Sequence, residues 1–396
     1  MGNINHNVPA LRFPEFKGEW KKMRLGDNCN IQMCKRIMAA QTNTEGGVPF
    51  YKIGTIGGKA DAYISKDLFD EYKMKYSFPH KGEVMITCAG TVGKCIIYNG
   101  EDSYYQDSNI VWIDNPNEII SNVFLYHLLS KINWSHLNST TIVRIYNDDL
   151  RNLKLYYPHH DEQKKITHLF QLINERIATQ NKIIEKLQSL IKGLNDSLYK
   201  QYGNAITTSF SDLGHSYSGL SGKSSEDFGS GKPFITYLNV YSNSVVNEKE
   251  YQYVRINDGE KQNIVQCGDV LFTLSSETPE EVGVGSVYLE IDEVFLNSFC
   301  FGFHIDNKEL AYPPYFSYYI SSTPFRKFIY PFAQGSTRFN LCKADFEKAS
   351  IKLPSLNNQK HIYAILNSIT EKIETEKNLL EYYTTQKQYL LRQMFI

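Results

Sequence analysis

Between Gln163 and Tyr199, apolar residues fall at Ile166, Phe170, Ile173, Ile177, Ile184, Leu187, Ile191, Leu194 and Leu198, with Gln180 in the one polar slot. The steps alternate four and three, a heptad seam that predicts a long helix packed against another helix. The stretch holds no proline, and its 37 residues extend roughly 55 Å at about 1.5 Å per residue. The pattern recurs 196 residues later at Ile362, Leu366, Ile369, Ile373, Leu380, Tyr383, Leu390 and Met394, with Glu376 and Lys387 as polar slots. The lead-in recurs as well, since Pro158 stands five residues before Gln163 as Pro354 stands before Gln359, each followed by Lys-x-Ile. A narrow apolar stripe buries itself only against another helix, so the two segments are expected to pair, antiparallel, through the long return between them.

Around these helices the chain reads as a duplication of an α+β domain. Strand patterns at Val48 to Ile56, Val84 to Cys88, Lys94 to Tyr98 and Asn109 to Ile113 precede a helical spacing from Glu118 to Trp134. In the second half, Pro233-Phe234-Ile235 answers Pro49-Phe50-Tyr51, and Gly268-Asp269-Val270 answers Gly82-Glu83-Val84. Asn297 to Asp306 answers Asp107 to Asp114, and Gly335 to Leu341 answers Ser139 to Ile145. Leu25-Gly26-Asp27 is paired with Leu213-Gly214-His215, and Leu11 to Trp20 reads as a packed arm. The expected division is a first domain over 1–157, a spacer helix over 158–203, a second domain over 204–353 and a second spacer helix over 354–396. Two copies of one frame with different decorations suggest one kind of task performed on two targets.

Composition narrows the task. Hydrophobic residues make up 42% and aromatics 13% of 396 residues, enough for two or three real cores. No apolar run approaches membrane-spanning length, and Met1 to His6 has no signal pattern, so a cytoplasmic protein is expected. Seven scattered cysteines without a C-x-x-C read as reduced thiols rather than a disulfide or zinc frame. Net charge is −1, and residues 204–353 carry twelve basic against eighteen acidic side chains, which counts against a non-specific nucleic-acid coat.

Motifs for catalysis are wanting. No phosphate-binding G-x-x-x-x-G-K-[ST] occurs, and Gly283-Val284-Gly285 reads as a turn opening a strand. Tyr312-Pro313-Pro314-Tyr315 reads as a helix-start proline pair, Pro279-Glu280-Glu281 as an acidic surface loop, and His159-His160 as solvated histidines without a third ligand. What remains is basic, amide and hydroxyl residues at loop positions. Arg144 and Tyr146 precede Asp148-Asp149, and Arg338 and Asn340 precede Asp345, where the acids look like helix caps. Arginine and asparagine suit guanine and adenine edges and also phosphate, with structural hydrogen bonding as the plainer role. The Gly90 and Gly93 loop that carries Thr87, Thr91 and Lys94 brings backbone close to a phosphate or simply closes a hairpin. Lys52, Thr87, Thr91, Lys94, Arg144, Tyr146, Ser275, Arg338 and Asn340 are thus the candidate DNA contacts, with no catalytic or metal-binding residue.

These features together resemble a family. The repeated Gly82-Glu83-Val84-Met85-Ile86 and Gly268-Asp269-Val270-Leu271-Phe272, the Gly335-Ser336-Thr337-Arg338 stretch, Pro-x-x-x-x-Gln-Lys-x-Ile before each long helix, and Leu11 to Trp20 are similar to the specificity subunit of type I restriction-modification systems. The resemblance implies a non-catalytic DNA reader in which each recognition domain binds one half of a split target. It implies long helices that act as an antiparallel spacer and dock methyltransferase subunits, two of them expected, with motor-nuclease subunits joining that core. S-adenosylmethionine, ATP and magnesium are then expected in those partners and not in this chain. A spacer of roughly 55 Å suits two readers about one duplex turn, roughly 34 to 36 Å, apart. A coiled-coil adaptor without DNA specificity and an enzyme with an unrecognised site are the readings from other classes.

Overall fold

The heptad pattern resolves into two helices, His160–Tyr202 and Leu356–Met394, in a computed structural model that describes residues 7–134 and 144–396. Met1 to His6 and Ser139 to Val143, on which a signal reading and part of the repeat rest, lie outside the described residues. Two units emerge, one of residues 1–179 with 379–396 and one of residues 180–378, so each takes in part of both long helices.

In the first unit the opening turns of the first helix pack with the closing turns of the second. Ile166, Phe170, Met394 and Phe395 share one core with Trp20, Phe124 and Leu129. The Arg176 guanidinium donates to the Tyr383 hydroxyl at 2.9 Å. In the second unit the order is reversed: Leu194 and Leu198 pack on the core that holds Ile362 and Leu366. The helices therefore run antiparallel within each unit. Every seam position named by the spacing is buried or half-buried, whereas Leu172, Ile183 and Leu190, off the seam, are exposed. The polar slots meet in the second unit, where the Gln180 amide donates to the Glu376 carbonyl at 3.1 Å and to the Glu376 carboxylate. Lys372 reaches the same carboxylate at 2.5 Å and, with Gln180, holds it below the usual carboxylate range. Lys387, the third polar slot, lies half-buried in the first unit near the buried His127, and burial lowers its own affinity for a proton.

Each unit hangs a lobe on this frame by the same pairing plan. In the first, Lys21–Arg24 pairs antiparallel with Lys154–Tyr157, the strand that leads into the first long helix. Ile206–Ser209 pairs likewise with Ser350–Leu353 in the second. A four-stranded antiparallel sheet follows in each, with Val84–Thr87 central in one and Val270–Thr273 in the other. Thr87 lies opposite Ile110 as Thr273 lies opposite Cys300, the register the repeat predicts. A small second sheet joins Phe50 and Tyr51 in parallel to Tyr104 and Tyr105, and Phe234 and Ile235 in parallel to Phe295 and Leu296.

One assigned echo is out of register. Leu25 opens the short helix Leu25–Asn28, whereas Leu213 closes the helix Phe210–Leu213, so the counterpart of Leu25 is Phe210. Both follow the strand that pairs with the last strand of the lobe, and both are fully buried. Leu11 to Trp20 packs as expected: Leu11 N donates to Gln393 O at 2.9 Å, Arg12 grips Glu162 with two bonds of 2.7 Å, and Trp20 is buried. Among the described residues, no helix is long and apolar enough to cross a membrane. The seven thiols are all unpaired.

Candidate nucleic-acid interface

In the first unit the candidate contacts collect where Val84–Thr87 ends. The strand turns through a tight hairpin, Thr87 N donating to Lys94 O at 3.0 Å and Gly93 N to Thr87 O at 2.8 Å, before Cys95–Ile97 returns. Gly93 has φ +83°, and a Cβ there would run into the Trp134 ring, so only glycine lets the loop fold down on the core. Thr91 at the tip donates its hydroxyl to Ile53 O at 3.0 Å, and Lys94 donates to Ile56 O at 2.6 Å. The hairpin is thereby tied to the segment that carries Lys52, whose ammonium pairs with Asp61 at 3.0 Å.

Arg144 arrives at the same end through the backbone. Ile145 N donates to Cys88 O at 2.9 Å, and Cys88 N donates to Asn109 O at 2.7 Å. The half-buried Arg144 guanidinium reaches Ser108 O at 3.4 Å and lies 5.8 Å from the centre of the exposed Tyr146 ring. Lys52, Thr91, Lys94 and Arg144 thus belong to one loop cluster, with Tyr146 at its edge. Thr87 departs from its expected role. It is fully buried, with its hydroxyl donating to Thr91 O and accepting from Lys94 N, so it closes the hairpin and offers no face to a ligand. The acids expected as caps sit two or three residues inside, within the first turn. The helices there start at Asn147 and Lys343, and Asp149 accepts from Tyr146 N at 2.7 Å.

The second unit builds the equivalent place with other side chains. Leu341 N donates to Leu274 O at 2.9 Å as Ile145 N does to Cys88 O, and Leu274 N to Phe299 O as Cys88 N to Asn109 O. This register sets Asn340 where Arg144 stands. Ser275 lies opposite Asn340 in a short antiparallel pair. Arg338 and Asn340 are exposed, but Ser275 is buried, its carbonyl accepting from the Tyr237 hydroxyl at 2.9 Å, so it positions more than it presents.

Sequence reasoning missed several neighbours. Arg36, Gln106, Asp107 and Asn109 line a cavity of about 350 Å³ with Lys52, and Arg36 pairs with Asp107 at 2.7 Å. In the second unit Tyr237 and Tyr241 stack at 6.0 Å, and Glu281 accepts from the Tyr241 hydroxyl at 2.7 Å and the Ser276 hydroxyl at 2.9 Å. These bonds hold Glu281 below its usual carboxylate range. No periodicity marks any of them; the one available signal was position, since Tyr237 follows the strand end Ile235 as Ile53 follows Tyr51. His159 and His160 are exposed, and among the described residues no three histidine, cysteine or acidic side chains are grouped to hold a metal.

A family model described as the type I restriction modification DNA specificity domain matches twice, over residues 17–189 and 209–382. The chain belongs to this family. The two matches fall on the two lobes with their adjoining helices, so the type I specificity domain is the repeated unit. A Haemophilus influenzae protein named as a type I restriction enzyme specificity subunit, S.HindORF215P, is 43% identical over 178 residues, 45% of this chain. The MjaVIII specificity subunit of Methanocaldococcus jannaschii is 26% identical over 196 residues, 48% of this chain. The chain spans 43% of the length of each of these relatives.

Among solved structures, one described under complex assembly and conformational transition of the type I system matches 95% of this chain and 97% of its own, with TM-score 0.60 and 15% identity. The type I S subunit of M. genitalium matches 98% of this chain and 99% of its own, with TM-score 0.53 and 15% identity. At that identity the likeness concerns the fold alone.

Proposed function

We propose that this type I specificity domain protein is the DNA-reading subunit of a restriction-modification complex. Each lobe reads one half of a bipartite duplex target through the loops at the end of its four-stranded sheet. The observation that carries this reading is the pair of loop clusters: one backbone register, used twice, offers Arg144, Lys52 and Lys94 in one lobe and Arg338, Asn340 and Glu281 in the other. A shared scaffold with unlike side chains at one place suits two readers of unlike sequence.

The paired helices set the gap between half-sites and offer their outer faces to methyltransferase subunits, two in the fully assembled core, with motor-nuclease subunits added. S-adenosylmethionine, ATP and magnesium belong to those partners, and this chain is a non-catalytic member. Exchange of residues 204–353 for the matching segment of another family member tests the assignment, with the complex selecting from a random duplex library. One half-site is expected to change while the other persists; a change in both, or in neither, overturns it.

A further inference from the structure

Each long helix is joined to its lobe by a buried glutamine, and the two joints are the same atom for atom. Gln163, 1% exposed, donates from its amide to Ile119 O at 3.0 Å and Pro158 O at 3.1 Å, while its carbonyl accepts from Ser121 N at 2.8 Å. Gln359, fully buried, donates to Leu310 O at 2.8 Å and Pro354 O at 2.9 Å and accepts from Tyr312 N at 2.8 Å. Three backbone groups are satisfied by one side chain in both places, though the surrounding residues differ: Ile119 and Ser121 in one lobe, Leu310 and Tyr312 in the other. Glutamine alone supplies two donors and an acceptor at this reach, and glutamate would set an acceptor against two carbonyls.

The loops so gripped lead into the inner helix of each lobe, Asn122–Lys131 in the first and the turns from Pro313 to Tyr319 in the second. The prolines they grip stand two residues before the long helices. The bonds therefore fix the angle at which a lobe leaves its helix, within each unit separately.

We infer that Gln163 and Gln359 are positioning residues for bipartite recognition: they hold each lobe rigidly to its helix and so sharpen the permitted gap between half-sites, without touching DNA. The inference rests on the DNA-reading assignment above. Burial of the pair also admits a purely structural role, which lowers stability and affinity uniformly; the gap separates the two.

The test uses the full chain, co-expressed with its methyltransferase subunits, to enrich duplexes from a library in which sequence and gap both vary. Wild type is compared with Gln163→Met and Gln359→Met, which keep length and lose the polar atoms. Each variant is expected to retain both half-sites and to raise the share of duplexes whose gap is one base pair off roughly tenfold, the scale of one to two lost hydrogen bonds. Hydrogen exchange on the chain should quicken at Ser121 in Gln163→Met and at Tyr312 in Gln359→Met. Folded variants with an unchanged gap distribution, or with altered half-sites, overturn the inference. If one variant does not fold, the other decides. A wild-type complex that enriches no bipartite duplex would instead defeat the DNA-reading assignment.

Discussion

Two side chains illustrate how burial governs individual residues. His127 is 2% exposed, with its ring 4.7 Å from that of Phe170, and burial, aided by the Lys387 ammonium, pushes its pKa down to about 4. An unfolded histidine titrates near 6.5, so between about pH 6.5 and 4 the unfolded chain binds the extra proton and the folded chain resists it. The stability due to neutral His127 is present above that window and is lost as pH falls through it, by about 3 kcal/mol in all. His127→Leu is expected to flatten the fall of Tm with pH across this window relative to wild type; parallel curves would show that His127 does not titrate there. Arg338 is the opposite case, exposed in the loop cluster proposed to read DNA. Arg338→Ala should cost about 1 to 3 kcal/mol at one base position. A binding titration against targets altered in one half-site at a time checks this, and equal loss at both halves would remove Arg338 from base reading. The burial of His127 was not legible from sequence, because a lone histidine in an apolar helix carries no period, whereas Arg338 was singled out by its place in the repeat before Asp345.

At the scale of elements, the long helices were legible almost residue by residue. A seam with steps of four and three leaves little freedom, and each position it names is buried or half-buried. The polar slots are the informative irregularity. Gln180→Leu strips Glu376 of a partner within a half-apolar seam and should lower Tm, whereas Gln180→Leu with Glu376→Leu should raise Tm above that of the single variant at the expense of helix register. Thermal unfolding of the three proteins decides, and a double variant less stable than the single one would refute the view that this pair costs stability. Strands were legible where they formed the sheet core, as at Val84–Thr87. They were not where four residues pair across more than a hundred, as Lys21–Arg24 does with Lys154–Tyr157. The helix Lys66–Lys75 escaped notice because only Phe69 is buried on it, too little for an amphipathic period.

For the whole molecule, duplication was the strongest signal in the sequence, and the strand registers bear it out at Thr87 with Ile110 and Thr273 with Cys300. The misplaced echo at Leu25 shows the limit: two matching letters outweighed a buried aromatic that the pairing of Ile206–Ser209 identifies. If the helices gauge the target, inserting two whole turns, about seven residues, into both should lengthen the gap and leave the half-sites as they are. Methylome sequencing of cells carrying that variant would read both quantities, and altered half-sites would show that the helices shape the readers themselves.

The joints at Gln163 and Gln359 grasp main-chain atoms, which every amino acid but proline possesses. A lobe with other side chains but the same loop backbone would meet these three bonds unchanged. If each lobe reads DNA as proposed, two such sockets on one chain would let a small stock of lobes combine into a larger repertoire of targets.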